Sequence, residues 1–390
     1  MKKQPINILS IVAYGLSFGG DETRLLNQCR LINKEKFNCI ICTPRSAGAN
    51  MMSHFKNIDA KIIYITILPF NLKSVWKPLR FFLLLINFVM YSVQLVRILY
   101  NKKIDIIDGR LLAGGIYGLL AKKIMGLPVL VTLYQKSDYS FLGSLCSYLL
   151  RSSDVIICDS QMRLDELKEW IGKSRARFLV IPSAIEVKFS DKDELRRMSW
   201  YREDTKKIVI GQIASIIPFK GQDLLIDVFG DISALHSMAE LWLIGYSRDD
   251  IYYDRLQQQA CELGIGDKVR FISYPGYIGD VFKMIDIQVH ASRFDSLPNS
   301  ILEGMSLGKA LIASSVGGIP EVVDHGLTGL LFEVNDRRAL ADHLSELIVD
   351  EKKRERLGQA ARKRFEEGYS PDFLIKQLED EIADLTTCKR

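Results

Sequence analysis

No apolar stretch of this 390-residue chain is long enough to cross a membrane. The longest uninterrupted run, Phe81 to Ile86, stops at Asn87, well short of the roughly 20 residues a spanning helix needs. Met1-Lys2-Lys3-Gln4-Pro5 leads into a strand pattern and lacks the apolar centre of a secretory signal, so a cytoplasmic protein is expected. Repeats and low-complexity segments are absent, which excludes solenoid arrays and biased disordered tails. The dinucleotide spacing G-x-G-x-x-G is missing. No basic run is interleaved with aromatic side chains, so nucleic acid is not an expected partner.

Cysteine is sparse and scattered, at 29, 39, 42, 146, 158, 261 and 388. Cys39 and Cys42 have the spacing of a metal or redox pair, but Phe37–Thr43 reads as a strand. An odd offset on a strand sends the two side chains to opposite faces, which leaves core thiols in a reducing compartment. Asp191-Lys192-Asp193 has the form of a metal-holding D-x-D triplet. It lies in a charged segment with no strand leading in, so a helix start is expected there and no metal site is assigned.

What the chain has is alternation. Strand patterns at Ile6–Val12, Phe37–Thr43, Lys61–Ile67, Ile104–Asp108, Val129–Thr132, Val155–Cys158 and Phe178–Ile181 are separated by helical stretches, the pattern of a parallel sheet covered on both faces. A second series opens with Ile208–Ile213. The divide is expected between Ser183 and Lys206, giving domains 1–190 and 191–369 and a closing helix, 370–390, that crosses back to the first. Charge is uneven: residues 1–130 hold 18 Lys and Arg against 6 Asp and Glu, the remainder 34 against 41. The basic part reads either as ordinary solvated surface or as a face for an acidic acceptor or an anionic membrane, with peripheral attachment. Leu79 to Tyr100 carries Arg80, Asn87 and Gln94 at seven-residue intervals, followed by Asn101, one narrow polar stripe on an apolar helix. Two readings stay open: a core helix, or a helix resting on a membrane, its start flanked by Phe70, Lys73, Trp76, Lys77 and Arg80.

The most informative stretch runs from Ser292 to Met305. Ile285, Ile287 and Val289 alternate with Asp286, Gln288 and His290 as in a half-buried strand, and Pro298 suits the start of the helix that follows. The strand therefore points at a helix N-terminus, where free backbone N–H groups favour phosphate or sugar hydroxyls. Asp295 and Asn299 can reach small polar groups there, and Glu303, one turn past Asn299, shares its helix face. Upstream, Lys220 stands at a strand-to-helix crossing where a cation meets a diphosphate. The plain alternative is capping and solvated surface acids.

From Asp286 to Leu331, the acid at 295, Leu297-Pro298-Asn299, Glu303 and Gly317-Gly318-Ile319-Pro320-Glu321 agree in order and spacing. They resemble the donor-sugar signature of the retaining glycosyltransferases of family four. The resemblance implies an α/β GT-B fold, two Rossmann-like domains facing a central cleft. It implies that Gly19 and Gly20 lie over the donor phosphates, and that Lys220 contacts the diphosphate beside Ser215, which replaces a usual Arg, with Arg293 a candidate substitute. Asp295 with Ser296, Leu297, Pro298 and Asn299 would orient the hexose, and Glu303 would hold the ribose. Tyr134 stands on the acceptor side where the family usually has His. The implied reaction, with no cofactor or metal, moves a hexose or N-acetylhexosamine from a UDP- or GDP-type sugar to a sugar, lipid-linked or polysaccharide acceptor with retention, in cell-surface polysaccharide or glycolipid synthesis. The rival readings are a non-catalytic partner subunit that has lost its phosphate grip, and a nucleotide-sugar epimerase.

Overall fold

Runs rich in Ile, Val and Leu become strands, and the amphipathic stretches between them become helices that cover both faces. The computed structural model describes residues 4–13, 20–45, 58–67, 77–134, 140–198, 200–201, 207–273 and 277–387. The chain divides into two units, 1–184 with 371–390, and 185–370.

In the first unit, strands β1 (Ile6–Val12), β2 (Phe37–Pro44), β3 (Lys61–Ile65), β4 (Ile106–Arg110), β5 (Val129–Thr132), β6 (Val155–Cys158) and β7 (Arg177–Val180) form one sheet. The order is β3-β2-β1-β4-β5-β6-β7, parallel throughout. Its helices are α1 (Gly20–Leu31), α2 (Lys77–Asn101), α3 (Leu111–Met125), α4 (Ser140–Leu150) and α5 (Gln161–Ile171). Leu9, Ile11 and Ile107 pack with Tyr91 and Leu95 of α2 on one face, and Ile8, Ile41 and Ile106 with Leu25 of α1 on the other. Cys39 and Cys42 fall on these two opposite faces, both buried. Cys261, by contrast, is exposed. α2 is not a core helix: Tyr91, Leu95 and Leu99 are buried, but Phe82, Leu85, Val89, Val93 and Tyr100 are exposed.

In the second unit, α6 (Lys192–Arg196) is capped by Asp191, whose carboxylate accepts from the Asp193 and Glu194 amides. The Asp-Lys-Asp triplet thus starts a helix. Strands β8 (Ile208–Ile213), β9 (Ala239–Ile244), β10 (Val269–Ile272), β11 (Ile287–His290), β12 (Ala310–Ser314) and β13 (Leu330–Phe332) follow in the order β10-β9-β8-β11-β12-β13, again parallel. Its further helices are α7 (Gln222–Ile232), α8 (Asp250–Glu262), α9 (Ile278–Met284), α10 (Asn299–Ser306), α11 (Ile319–Val322), α12 (Arg337–Val349) and α13 (Glu351–Gly368), and α14 (Pro371–Thr387) belongs to the first unit. Strand order reverses between β8 and β11, and open parallel sheets bind ligands beyond the carboxyl ends of the strands at such a reversal. β11 is buried on both faces, not one. It is a central strand, so the polar half of its alternation, Gln288 and His290, is also enclosed and needs partners.

Glycine sets the contact between the loops after β8 and β11. Gly221 has φ +67°, and a Cβ there would sit 2.1 Å from the Ala291 carbonyl oxygen. Gly326 has φ +79° with open space around it. Gly221→Ala is therefore expected to cost more than the roughly 1 kcal/mol of backbone strain that Gly326→Ala costs, by on the order of 2 kcal/mol for displaced backbone. Urea midpoints of the two variants check the difference.

Candidate functional site

At the end of β8 the chain makes a short 3-10 turn, Pro218–Lys220, held when the buried Gln212 donates to the Lys220 carbonyl at 2.6 Å. The turn sets the Lys220 ammonium against the Asp295 carboxylate. The same carboxylate oxygen lies 2.9 Å from His290 Nε2, which is also 2.8 Å from Ser292 Oγ. Burial alone would raise the Asp295 pKa, but His290 and Lys220 hold it well below the ordinary carboxylate range. Burial lowers the His290 pKa against the pull of Asp295, so the ring is neutral near pH 7 and its Nε2–H donates to Asp295.

The following loop is anchored from beneath. Leu297 is buried with Ile301 and Ile319, so it contributes only its main chain to any ligand. The Ser296 amide lies 3.1 Å from Asp295 Oδ1, and the Gly318 amide donates to the Ser296 carbonyl at 2.7 Å. Gly317, at φ +59°, passes so close that a Cβ would lie 2.3 Å from the Asp295 carbonyl oxygen. Gln288 donates to the Ser300 carbonyl at 2.7 Å and lies against Gly304, fixing α10 on β11. α10 begins at Asn299, whose Oδ1 is buried without a partner among the described residues. Burial raises the Glu303 carboxyl to about 7, and no described residue hydrogen-bonds or pairs with it.

Arg293 does not take the place of the missing Arg. Both its terminal nitrogens reach Asp223 at 2.8 Å and its Nε donates to Asn335 at 2.9 Å, so its fork is occupied. Ser215 lies in the loop after β8, its carbonyl accepting from Gln222 at 3.0 Å. Lys220 and Asp295 are thus brought together, with Ser296, Pro298, Asn299 and Glu303 following on the same loop and helix.

In the first unit, Tyr134 follows β5. The Arg24 guanidinium lies 3.9 Å from its ring centre, and Arg110 donates to its hydroxyl at 3.3 Å. Burial pushes the phenol up to about 12 against these two cations. Arg110 in turn pairs with Asp21 at 2.7 Å, and Arg24 with Asp159 at 2.9 Å. The adjoining cavity, about 40 Å³, has room for a few waters. Gly20 is the first residue of α1, and Gly19 lies outside the described residues.

His290 was missed at the sequence level because its position in an alternating strand reads as solvent-facing. The signal was available: a charged or polar side chain on a strand that the topology makes central.

Two family descriptions match the chain, Glycosyltransferase Family 4 over residues 18–189 and Glycosyl transferases group 1 over residues 195–364. The chain belongs to glycosyltransferase family four. This glycosyltransferase is 25% identical over 366 residues to the N-acetyl-alpha-D-glucosaminyl L-malate synthase of Bacillus anthracis, covering 87% of the chain and 94% of the relative. It is 29% identical over 241 residues, 58% of the chain and 61% of the relative, to a GDP-mannose-dependent monoacylated alpha-(1-6)-phosphatidylinositol monomannoside mannosyltransferase of Corynebacterium glutamicum. Among solved structures it is similar to Anabaena Alr3699/HepE in complex with UDP and glucose, with a TM-score of 0.81 at 20% identity over 97% of this chain and all of that one. That likeness establishes the GT-B fold.

In this family four glycosyltransferase, removing the Asp295 charge should be felt in stability as well as in turnover. Its folded pKa lies below its unfolded value, so its stabilisation is complete above about pH 4 and is lost as pH falls beneath that. Asp295→Asn is expected to cost about 2 kcal/mol at pH 7. The gap to the parent, read from urea unfolding, should narrow as pH drops below about 4.

Proposed function

We propose that this glycosyltransferase moves a hexose or N-acetylhexosamine from a UDP- or GDP-type sugar to an acceptor hydroxyl with retained anomeric configuration. The observation that carries the reading is the Glu303 carboxyl: half-buried on α10, raised to about 7 by desolvation, and without a partner among the described residues. A partly desolvated carboxylate left unpaired is costly, and the paired hydroxyls of a ribose are the groups that would satisfy it. Asp295, with Ser296 to Asn299, would orient the sugar, and Lys220 would stabilise the departing diphosphate. The bond from the anomeric carbon to the phosphate oxygen breaks as the acceptor oxygen bonds to that carbon. The acceptor's proton passes to the leaving phosphate, so neither acid acts as nucleophile and the reaction calls for no metal or cofactor. On this reading Tyr134 belongs to the acceptor side as a hydrogen-bonding group, and Gly19 and Gly20 to the phosphate side.

The relatives' names support a nucleotide-sugar donor and leave both bases in play, one being GDP-mannose-dependent and one structure holding UDP. A sugar, lipid-linked or polysaccharide acceptor fits the same set, with a role in cell-surface polymer or glycolipid synthesis. Among the described residues no helix is long and apolar enough to cross a membrane.

A thermal-shift screen across nucleoside diphosphates and their sugars is expected to single out one base by a raised melting temperature. With that donor, Lys220→Ala and Glu303→Gln should each lose at least ten-fold in kcat/KM, about the worth of a hydrogen bond to a charged group. Full rates in both variants at donor concentrations below KM would remove the role assignment.

The pH dependence follows from Glu303. Its folded pKa is above its unfolded value, so the empty protein loses stability as pH rises from about 4.5 to about 7. Over the same rise the carboxylate becomes a pure acceptor for hydroxyls. Donor KM is therefore expected to fall between about pH 6 and pH 8, and Glu303→Gln should flatten that limb.

A further inference from the structure

α2, α3 and α4 form consecutive neighbours in one helical layer of the first unit. Their outer surface has an unusual composition. Phe82, Leu85, Val89 and Val93 are 59%, 48%, 52% and 48% exposed. At 100° per residue they share one face of α2 with Tyr100, opposite the buried Tyr91, Leu95 and Leu99. A helix that covers a core normally turns its polar side outward. Here the apolar stripe faces outward, and Ile124 of α3 and Leu145 and Tyr148 of α4 are exposed as well.

The charge carried by these three helices themselves is of one sign. The sequence has no Asp or Glu between Asp59 and Asp105, none in α3 and none in α4. The same helices contribute Arg97, Lys122 and Lys123, with Lys102 just past the end of α2; Lys122 pairs with Asp154 at 2.6 Å. Arg97 and Lys123 are exposed, and Lys102 has Lys61 beside it, which lowers its pKa.

We infer that the α2 stripe rests on an anionic lipid surface. The described part of the stripe, from Phe82 to Tyr100, spans about 27 Å of helix, which lies along a bilayer surface rather than across it. Apolar side chains enter the boundary between headgroups and acyl chains, while the lysines and arginines meet lipid phosphates. A second copy of the chain is the competing occupant, and charge argues against it. A two-fold contact through this face would bring Arg97, Lys102 and Lys123 of the two copies together with no acid on these helices to offset them, whereas anionic headgroups neutralise them. The inference adds to the donor reading a surface on which a lipid-linked acceptor is met, and it does not depend on which sugar is moved.

Flotation of the full chain with phosphatidylcholine vesicles, with and without phosphatidylglycerol, tests it. Binding is expected to the phosphatidylglycerol vesicles and to weaken as salt rises. Val89→Glu with Val93→Glu should abolish it. Arg97→Glu with Lys123→Glu should weaken it at least twenty-five-fold, about five-fold for each basic side chain lost. Both double variants should keep the parent's thermal shift with nucleotide, which shows that they fold. Failure to bind phosphatidylglycerol vesicles at low salt, or undiminished binding by the valine variant, overturns the inference. A dimer seen by light scattering that Val89→Glu with Val93→Glu dissolves, without vesicle binding, assigns the face to a second copy and overturns it too. Vesicle binding with no thermal shift from any nucleotide would instead count against the donor reading alone.

Discussion

One carboxylate ties the second unit's site together. Asp295 receives the Lys220 ammonium from the loop after β8 and the His290 imidazole from the end of β11, so the two loops that flank the strand-order reversal are joined by charge. The connection demands a dry setting. His290 is fully enclosed, Leu297 pins the loop to the core, and Gly317 and Gly221 let backbones approach where a side chain would push them apart. Burial would raise the Asp295 carboxyl and lowers the His290 ring. Pairing of Asp295 with His290 and Lys220 offsets that cost, and the Lys220 contact joins the ends of two strands, β8 and β11.

Glu303 is the counterpoint. It lies on α10, directly after the same loop, yet nothing in the described protein answers its charge. The contrast between a carboxylate satisfied twice and one not satisfied at all separates the two acids into different roles. Asp295 serves geometry already present in the empty protein, and on the proposed reading Glu303 is the acid left for the hydroxyls of a ligand.

The fold class was legible because parallel sheets leave alternating strands and helices in the sequence, and the spacing from Asp295 to Glu321 was legible because it is local. What escaped was set by tertiary contact. Lys220 and Asp295 are far apart in sequence, and no periodicity announces that they touch. His290 and Gln288 sit at positions that a one-sided sheet would give to solvent, and only the strand order shows that β11 has no wet face. Arg293 offered a free guanidinium on paper, but Asp223 on α7 claims it. For α2, the seven-residue spacing of its polar side chains could not say which of its other faces would be covered.

The Lys220–Asp295 pair gives the empty site its own counter-ion. A bare ammonium beside helix-tip amides would collect any small anion from solution, inorganic phosphate included. On the proposed reading, with the carboxylate in place, an incoming phosphate would have to displace an internal partner as well as offer negative charge. Simple salts are poor competitors for such a position, and a guest that brings further contacts with it holds the advantage.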